Sequence, residues 1–162
     1  VSDYVRRQLI FEVGDHLFAA DAQAVCEVLE PILAATPIPG AVPGIHGLVN
    51  LRGTLLVTAN LGSLLGLTPK PVAEPALVVF EHETRKVALE IDRVVDVTSG
   101  PEDDTDVDGS LLKALGAREV VSGAGQFGQR PYFRLDMGAV FALVLDDQQG
   151  YRADARTERG AR

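Results

Sequence analysis

Hydrophobic positions recur with period two along most of this chain and switch to helical spacing only near residue 140. Residues 8–13, QLIFEV, and 17–20, LFAA, flank Gly14-Asp15-His16, which predicts a hairpin at the start of the domain. Asp21 is placed to cap a short helix through Ala22, Gln23, Ala24 and Val25, and Val28 to Leu33 then reads as a strand or extended segment. Pro37, Pro39 and Pro43, with Gly40 and Gly44, force an extended connection, because proline lacks a donor and restricts the residue before it.

The stretch that follows carries the strongest pattern. Ile45, Gly47, Val49 and Leu51 alternate on one side of a charged turn, and Leu55, Val57, Ala59 and Leu61 alternate on the other. Opposed residues of an antiparallel pair share a face. A three-residue loop of Leu51, Arg52 and Gly53 opposes Val49 to Leu55 and Gly47 to Val57, and so collects both apolar sets on one core face, where a two-residue loop mixes them. Gly53 then takes the left-handed position of a type I turn with a bulge, and Arg52 stands exposed at the tip. An arginine there, always ionised and with five donors in a fixed fork, suits recognition of a partner.

Beyond the hairpin, Asn60 or Ser63 can cap a single turn ending at Gly66, and residues 68–75 form a proline-rich linker into a second block. That block opens with residues 76–83, ALVVFEHE, turns at Thr84-Arg85 and continues through 86–97, KVALEIDRVVDV. Residues 100–109 are acidic and turn-rich, and Ser110 can start a short helix over Leu111 to Leu115. Residues 117–122 and 131–135 read as a strand pair around a Gly123 to Gly128 turn region, and Asp136 caps a helix over 137–147 with Met137, Val140, Phe141 and Val144 on one face. Residues 1–7 and 148–162 read as tails, the latter disordered for want of apolar periodicity.

Composition narrows the function. The 162 residues form one domain of mainly β structure, with no Trp and a core built from Val, Leu, Ile and Ala. A net charge of −8 disfavours nucleic acid or an anionic membrane as main partner. Cys26 is the only cysteine, which excludes a disulfide framework and a Cys-based zinc site and fits the cytoplasm. No spanning helix or signal peptide is legible, and a first residue of Val implies a trimmed start.

Candidate chemistry is thin. His16, His46 and His82 lie outside any metal-ligand or nucleophile spacing, and the hairpin register puts His46 on the outward face; solvated histidines are favoured. Cys26 lacks a neighbouring histidine, and Glu27 beside it would raise its pKa. No Walker, dinucleotide or nucleophile-elbow pattern is present, and the glycines at 123, 125 and 128 are read as turn glycines. No cofactor is expected and the chain does not read as an enzyme. Asp104, Asp106, Asp108 and Gly109 match the first half of an EF-hand calcium loop, but Leu115 stands where its bidentate Glu belongs and Gly100-Pro101 where its first helix should run. A small-ligand- or calcium-responsive regulatory β-barrel is the alternative these acids leave open.

IPGAVPGIHGLVNLRGTLLVTANLGSLLGL, residues 38–67, resembles the signature stretch of the CheW-like domain, the coupling module of bacterial chemosensory arrays. QLIFEVGDHLFAADAQAVCEV resembles the family's opening strand pair and helix, and KVALEIDRVVDV its second-block strands; the resemblance covers about residues 8–147. It implies two packed, intertwined SH3-like five-stranded β-barrels with short helices and a C-terminal helix, without enzymatic activity. It also implies an adaptor that links a chemoreceptor's cytoplasmic tip to the regulatory domain of a CheA-type histidine kinase. By the motif's alignment, Val25, Glu27, Gly47, Asn50 and Arg52 fall near a partner, and Gly53 shapes the turn. The chain departs from the family in carrying Asn60 where an Asp is usual, which removes one outward charge.

Overall fold

The computed structural model describes residues 6–30, 35–41, 43–68, 70–100 and 119–146. The alternating pattern becomes ten strands: β1 Arg6–Val13, β2 His16–Asp21, β3 Val25–Leu29, β4 Ile45–Leu51, β5 Thr54–Asn60, β6 Ala76–His82, β7 Arg85–Ile91, β8 Arg93–Gly100, β9 Val121–Phe127 and β10 Arg130–Leu135. They make two five-stranded sheets, ordered β8-β1-β2-β10-β9 and β3-β6-β7-β5-β4. Each contains one parallel pair, β2 with β10 in the first and β5 with β7 in the second. The helical content is small, as expected for a mainly β chain: a 3-10 turn Ala22–Ala24, α1 Leu61–Leu64, and a C-terminal helix Met137–Phe141 that relaxes into a π turn over Ala142–Asp146.

Local chemistry marks the places where the chain changes sheet. It leaves the first sheet through the 3-10 turn, where the Asp21 carboxylate accepts the Gln23 N–H at 3.0 Å. It returns at Asp92, whose N–H donates to the Glu12 carbonyl at 3.0 Å and whose carboxylate accepts the Gly14 N–H at 2.9 Å. Asp92 thus ties the second crossing to the β1–β2 turn. Segment 68–75 joins α1 to β6, so both of its ends lie on the second sheet. Asn60 caps α1 by accepting the Ser63 N–H at 2.9 Å, and Asp136 caps the C-terminal helix by accepting that of Ala139 at 3.2 Å.

Three apolar clusters hold the sheets. The largest draws Leu9, Phe11 and Phe18 from the first sheet, Val78, Phe80, Val87 and Leu89 from the second, and Met137, Val140, Phe141 and Val144 from the C-terminal segment. Those last four are buried together, as the helical spacing predicts. The opposite faces carry smaller clusters, Val49, Leu56, Leu77, Val79 and Ala88 in the second sheet and Ile10, Leu17, Ala19 and Tyr132 in the first. Strands buried on both faces read as continuous apolar runs instead of alternating ones.

That double burial corrects the hairpin register. Leu51 pairs with Thr54, Asn50 with Leu55, Val49 with Leu56 and Leu48 with Val57, so the loop is the two residues Arg52-Gly53 and not three. Their φ values of 51° and 86° belong to a type I′ turn, which matches the twist of the flanking strands. Gly53 is left-handed as expected, without the bulge. Val49 is in the core, but its partner is Leu56; Leu55 is exposed.

Other boundaries move by a few residues. The next hairpin turns at Glu83-Thr84, with φ values of 49° and 66°, one position before the expected Thr84-Arg85. β3 begins at Val25, where a helix end was expected. Gly123 and Gly125 lie inside β9, and only Gly128 turns, at φ 62°. Gly125 stands opposite Tyr132, and a Cβ there would lie 2.3 Å from the tyrosine oxygen. The Asp104 to Asp108 loop, the helix expected after Ser110 and both tails lie outside the described residues.

Candidate functional site

β3 and β4 are the two edges of the second sheet. The chain beyond β3 crosses to the other edge, where Thr36 and Leu48 exchange two backbone hydrogen bonds of 2.8 Å. The hairpin tip makes a further link. Arg52 donates from one terminal nitrogen to each carboxylate oxygen of Glu27, at 3.1 and 3.0 Å, forming a bidentate ion pair between residues 25 apart in sequence. Glu27 pairs with Val79, which puts its side chain on the face that carries the small Val49-Leu56-Leu77 cluster. The arginine remains 71% exposed and the glutamate 28%.

Each nominated residue now has a place. Glu27 and Arg52 are brought together. Asn50 is exposed, and its side-chain oxygen accepts the Gly53 N–H at 2.8 Å, fixing the turn that presents Arg52. Val25 is half-buried and packs against the large core. Gly47 is buried at φ 142°, and a Cβ there would lie 2.0 Å from the Thr36 carbonyl oxygen. Its role in the structure is to let the Thr36 segment cross. Leu55, which the alternating pattern assigns to the core, is 67% exposed, on the face of β5 that carries Val57 and Ala59.

The remaining candidates are quiet. His46 is exposed, 3.7 Å from Glu90, and Glu90 accepts a bond of 3.2 Å from the Asn60 amide. An aspartate at 60 could not donate that bond, so the departure from the family pattern has a local partner. His82 is less solvated than expected, its ring 5.6 Å from that of Phe141. Cys26 is on the exposed side of β3; loss of solvent around the sulfur and then the Glu81 carboxylate 3.5 Å away push its thiol up, which opposes nucleophilic use. Among the described residues no cluster of His, Cys, Asp and Glu could hold a metal ion. None of their helices is long and apolar enough to cross a membrane.

A hollow of about 430 Å³ gathers Asp21, Glu81, His82, Arg134 and Asp136, but their polar groups serve the fold. Asp21 and Asp136 cap helices. Arg134 donates to the Gln8 side chain at 2.7 Å, and Gln8 donates to the Tyr132 hydroxyl at 2.7 Å, in a buried network across the first sheet. At the far end of that sheet, partial burial pushes the Glu12 carboxyl up, but hydrogen bonds from Arg130 and Arg93 outweigh it and hold it below the ordinary range. Asp15 pairs with Lys70 beside it, which lowers the acid and raises the base.

A family model described as the CheW-like domain matches residues 7–145. The chain is 32% identical over 93 residues to the chemotaxis protein CheW of Rhizobium meliloti (strain 1021), an alignment covering 57% of this chain and 59% of that one. It is 27% identical over 99 residues to the chemotaxis protein CheW of Thermotoga maritima, covering 61% and 65%. The match thus spans about three-fifths of the length of these relatives. The crystal structure of scaffolding protein TtCheW from Thermoanaerobacter tengcongensis has the same fold, with a TM-score of 0.73 over 84% of this chain and 87% of that one at 19% identity.

Proposed function

Because the chain belongs to the CheW-like domain family, we propose that it is a chemosensory scaffold that works by protein contact and not by catalysis, coupling a chemoreceptor's cytoplasmic tip to the regulatory domain of a CheA-type histidine kinase. The observation that carries this reading is the exposed Arg52–Glu27 pair. Two residues nominated from separate motifs meet at the junction of a sheet edge and a rigid I′ hairpin. Residues 8–147 form the adaptor domain, and each sheet is one SH3-like barrel of the family. The Thr36–Leu48 bridge and the Arg52–Glu27 pair, which link opposite edges of the second sheet, support the barrel assignment. A receptor's cytoplasmic tip and a kinase regulatory domain as partners would place the chain in the cytoplasm.

The test is reconstitution. Arg52→Ala removes an exposed side chain, so folding should be unchanged while affinity for the kinase regulatory domain or the receptor tip falls by about tenfold or more. The readouts are calorimetric binding to each fragment and receptor-dependent kinase autophosphorylation. Equal affinity of the variant for both fragments would remove the basis of the proposal.

A further inference from the structure

Two arginines converge on one carboxylate at the end of the first sheet. Glu12 of β1 accepts on Oε2 from Arg130 Nη1 at 3.0 Å and from Arg93 Nη2 at 3.3 Å. The carboxylate is 19% exposed, whereas Arg93 and Arg130 are 57% and 46% exposed. One guanidinium would neutralise it, so the second leaves the trio with a net positive charge in a chain whose total is −8. Of the neighbouring acids, Asp15 is paired with Lys70, and Asp92 accepts the Gly14 N–H. Two guanidinium groups held on one oxygen repel each other, a cost that a further anion shared between them would relieve. Arg130 is pinned a second time, by donating from Nη2 to the Asp15 carbonyl at 3.3 Å. Bonds within the described residues use one N–H of Arg93 and two of Arg130, so most of each five-donor fork remains for an acceptor from outside. The place is remote from the hairpin tip. Asn60 pairs with Glu90, so β5 and β7 finish at the same end of the second sheet, and the chain passes from that end through Asp92 to Arg93. Arg52 precedes the opposite end of β5, about 20 Å away at roughly 3.3 Å per residue.

We infer that Arg93 and Arg130 form a second docking site, whose occupant is a carboxylate of the partner protein that does not dock at Arg52. The inference rests on the adaptor reading. An adaptor holds two proteins at once and therefore needs two separated contact faces; the Arg52–Glu27 face lies at one end of the second sheet, and the arginine pair lies at the end of the first. A carboxylate has two oxygens, one for each guanidinium, and charge-assisted bonds of this kind are the strong ones. Glu12 contributes from behind. By holding both arginines before the partner arrives it limits their rotamers, which lowers the ordering cost of binding.

Calorimetric binding of the full chain to the kinase regulatory domain and to a receptor-tip fragment from the same genome tests this with Arg93→Gln, Arg130→Gln and, for comparison, Arg52→Ala. Each glutamine variant leaves Glu12 one arginine, so its unfolding midpoint should match the parent. Both should weaken the same complex about tenfold, and that complex should be the one that Arg52→Ala leaves unchanged. Added salt should weaken it in the parent more steeply than in Arg93→Gln, since the variant has one charge fewer to screen. If the glutamine variants bind both fragments like the parent while Arg52→Ala does not, the second site is wrong and the first stands. If they lower the unfolding midpoint without touching affinity, the pair is only a brace for Glu12. If they weaken the same complex as Arg52→Ala, the division between two partners is wrong, and equal salt sensitivity of parent and Arg93→Gln would show that no partner carboxylate meets the pair. If none of the three variants loses affinity for either fragment, the inference and the adaptor reading both fall.

Discussion

Replacing Gly47 by Ala should damage the fold much more than the interface. An added Cβ would sit 2.0 Å from the Thr36 carbonyl oxygen, 2.6 Å from its carbonyl carbon and 3.0 Å from the Pro37 Cα. Those are backbone atoms, so no side-chain rotation relieves the overlap. The Thr36 segment must move away, which breaks the two 2.8 Å bonds that tie it to Leu48 of β4. Losing both costs about 1–3 kcal/mol, at roughly 0.5–1.5 kcal/mol each. Holding Ala at φ 142° adds about 1–3 kcal/mol of backbone strain. The sum, about 2–6 kcal/mol, is a large part of the ~5–15 kcal/mol that stabilises a domain.

Urea unfolding followed by circular dichroism measures it, with Gly53→Ala as the internal control. Gly53 also has positive φ, 86°, but nothing lies within 4 Å of its added Cβ, so only the left-handed cost of about 1 kcal/mol applies. The difference between the two variants reports the Thr36 overlap together with any extra backbone strain at φ 142°. If Gly47→Ala is no less stable than Gly53→Ala, then the Thr36 crossing does not press on this strand and Gly47 has some other reason to be glycine. If Gly47→Ala keeps full stability and loses kinase or receptor binding, the residue is a contact and the structural account is refuted.

Two further outcomes follow from buried and paired charges. Gln8→Leu removes the donor to Tyr132 and the acceptor for Arg134 in an apolar surrounding, and should cost about 2–4 kcal/mol in urea unfolding, where a neutral result would mean the network is dispensable. Glu12 is held below the ordinary glutamate value of 4.5 in the folded chain, so its contribution is fully present above that value and is lost as pH falls through the folded pKa. Glu12→Gln should therefore be less stable than the parent at pH 7, with the gap closing on acidification below about 4.5; a gap that does not change with pH would contradict the pairing with Arg93 and Arg130.

What could be read from the residues depended on how local its cause was. The caps at Asp21, Asn60 and Asp136 are interactions over two or three residues, and each forms where expected. The face of Met137, Val140, Phe141 and Val144 also comes from spacing alone. The β4–β5 register was misread because β5 is buried on both sides, Leu56 toward one cluster and Val57 toward another, so alternation no longer marks a single inner face. Gly125 reads as a turn residue from the sequence because nothing nearby in the chain announces Tyr132 across the sheet. The parallel pairings of β2 with β10 and β5 with β7 join distant segments and have no local signature. Of the candidate site, Glu27 and Arg52 were nominated by the family motif, but their contact, 25 residues apart, was not legible, and neither was the exposure of Leu55.

The misread register has a functional consequence. With a three-residue loop, Leu55 would face the core and Arg52 would be a lone charge on a flexible tip. With the two-residue I′ turn, the pairing shifts by one and every β5 side chain changes face, which buries Leu56 beside Val49 and leaves Leu55 exposed on the opposite face. The turn is held at both residues by positive φ, braced by the Asn50 oxygen, and tied across the sheet to Glu27. The arginine proposed as the contact thus stands on backbone fixed by the choice of turn length. It can dock with little ordering cost, which an adaptor needs if its own shape is to transmit a partner's state instead of absorbing it.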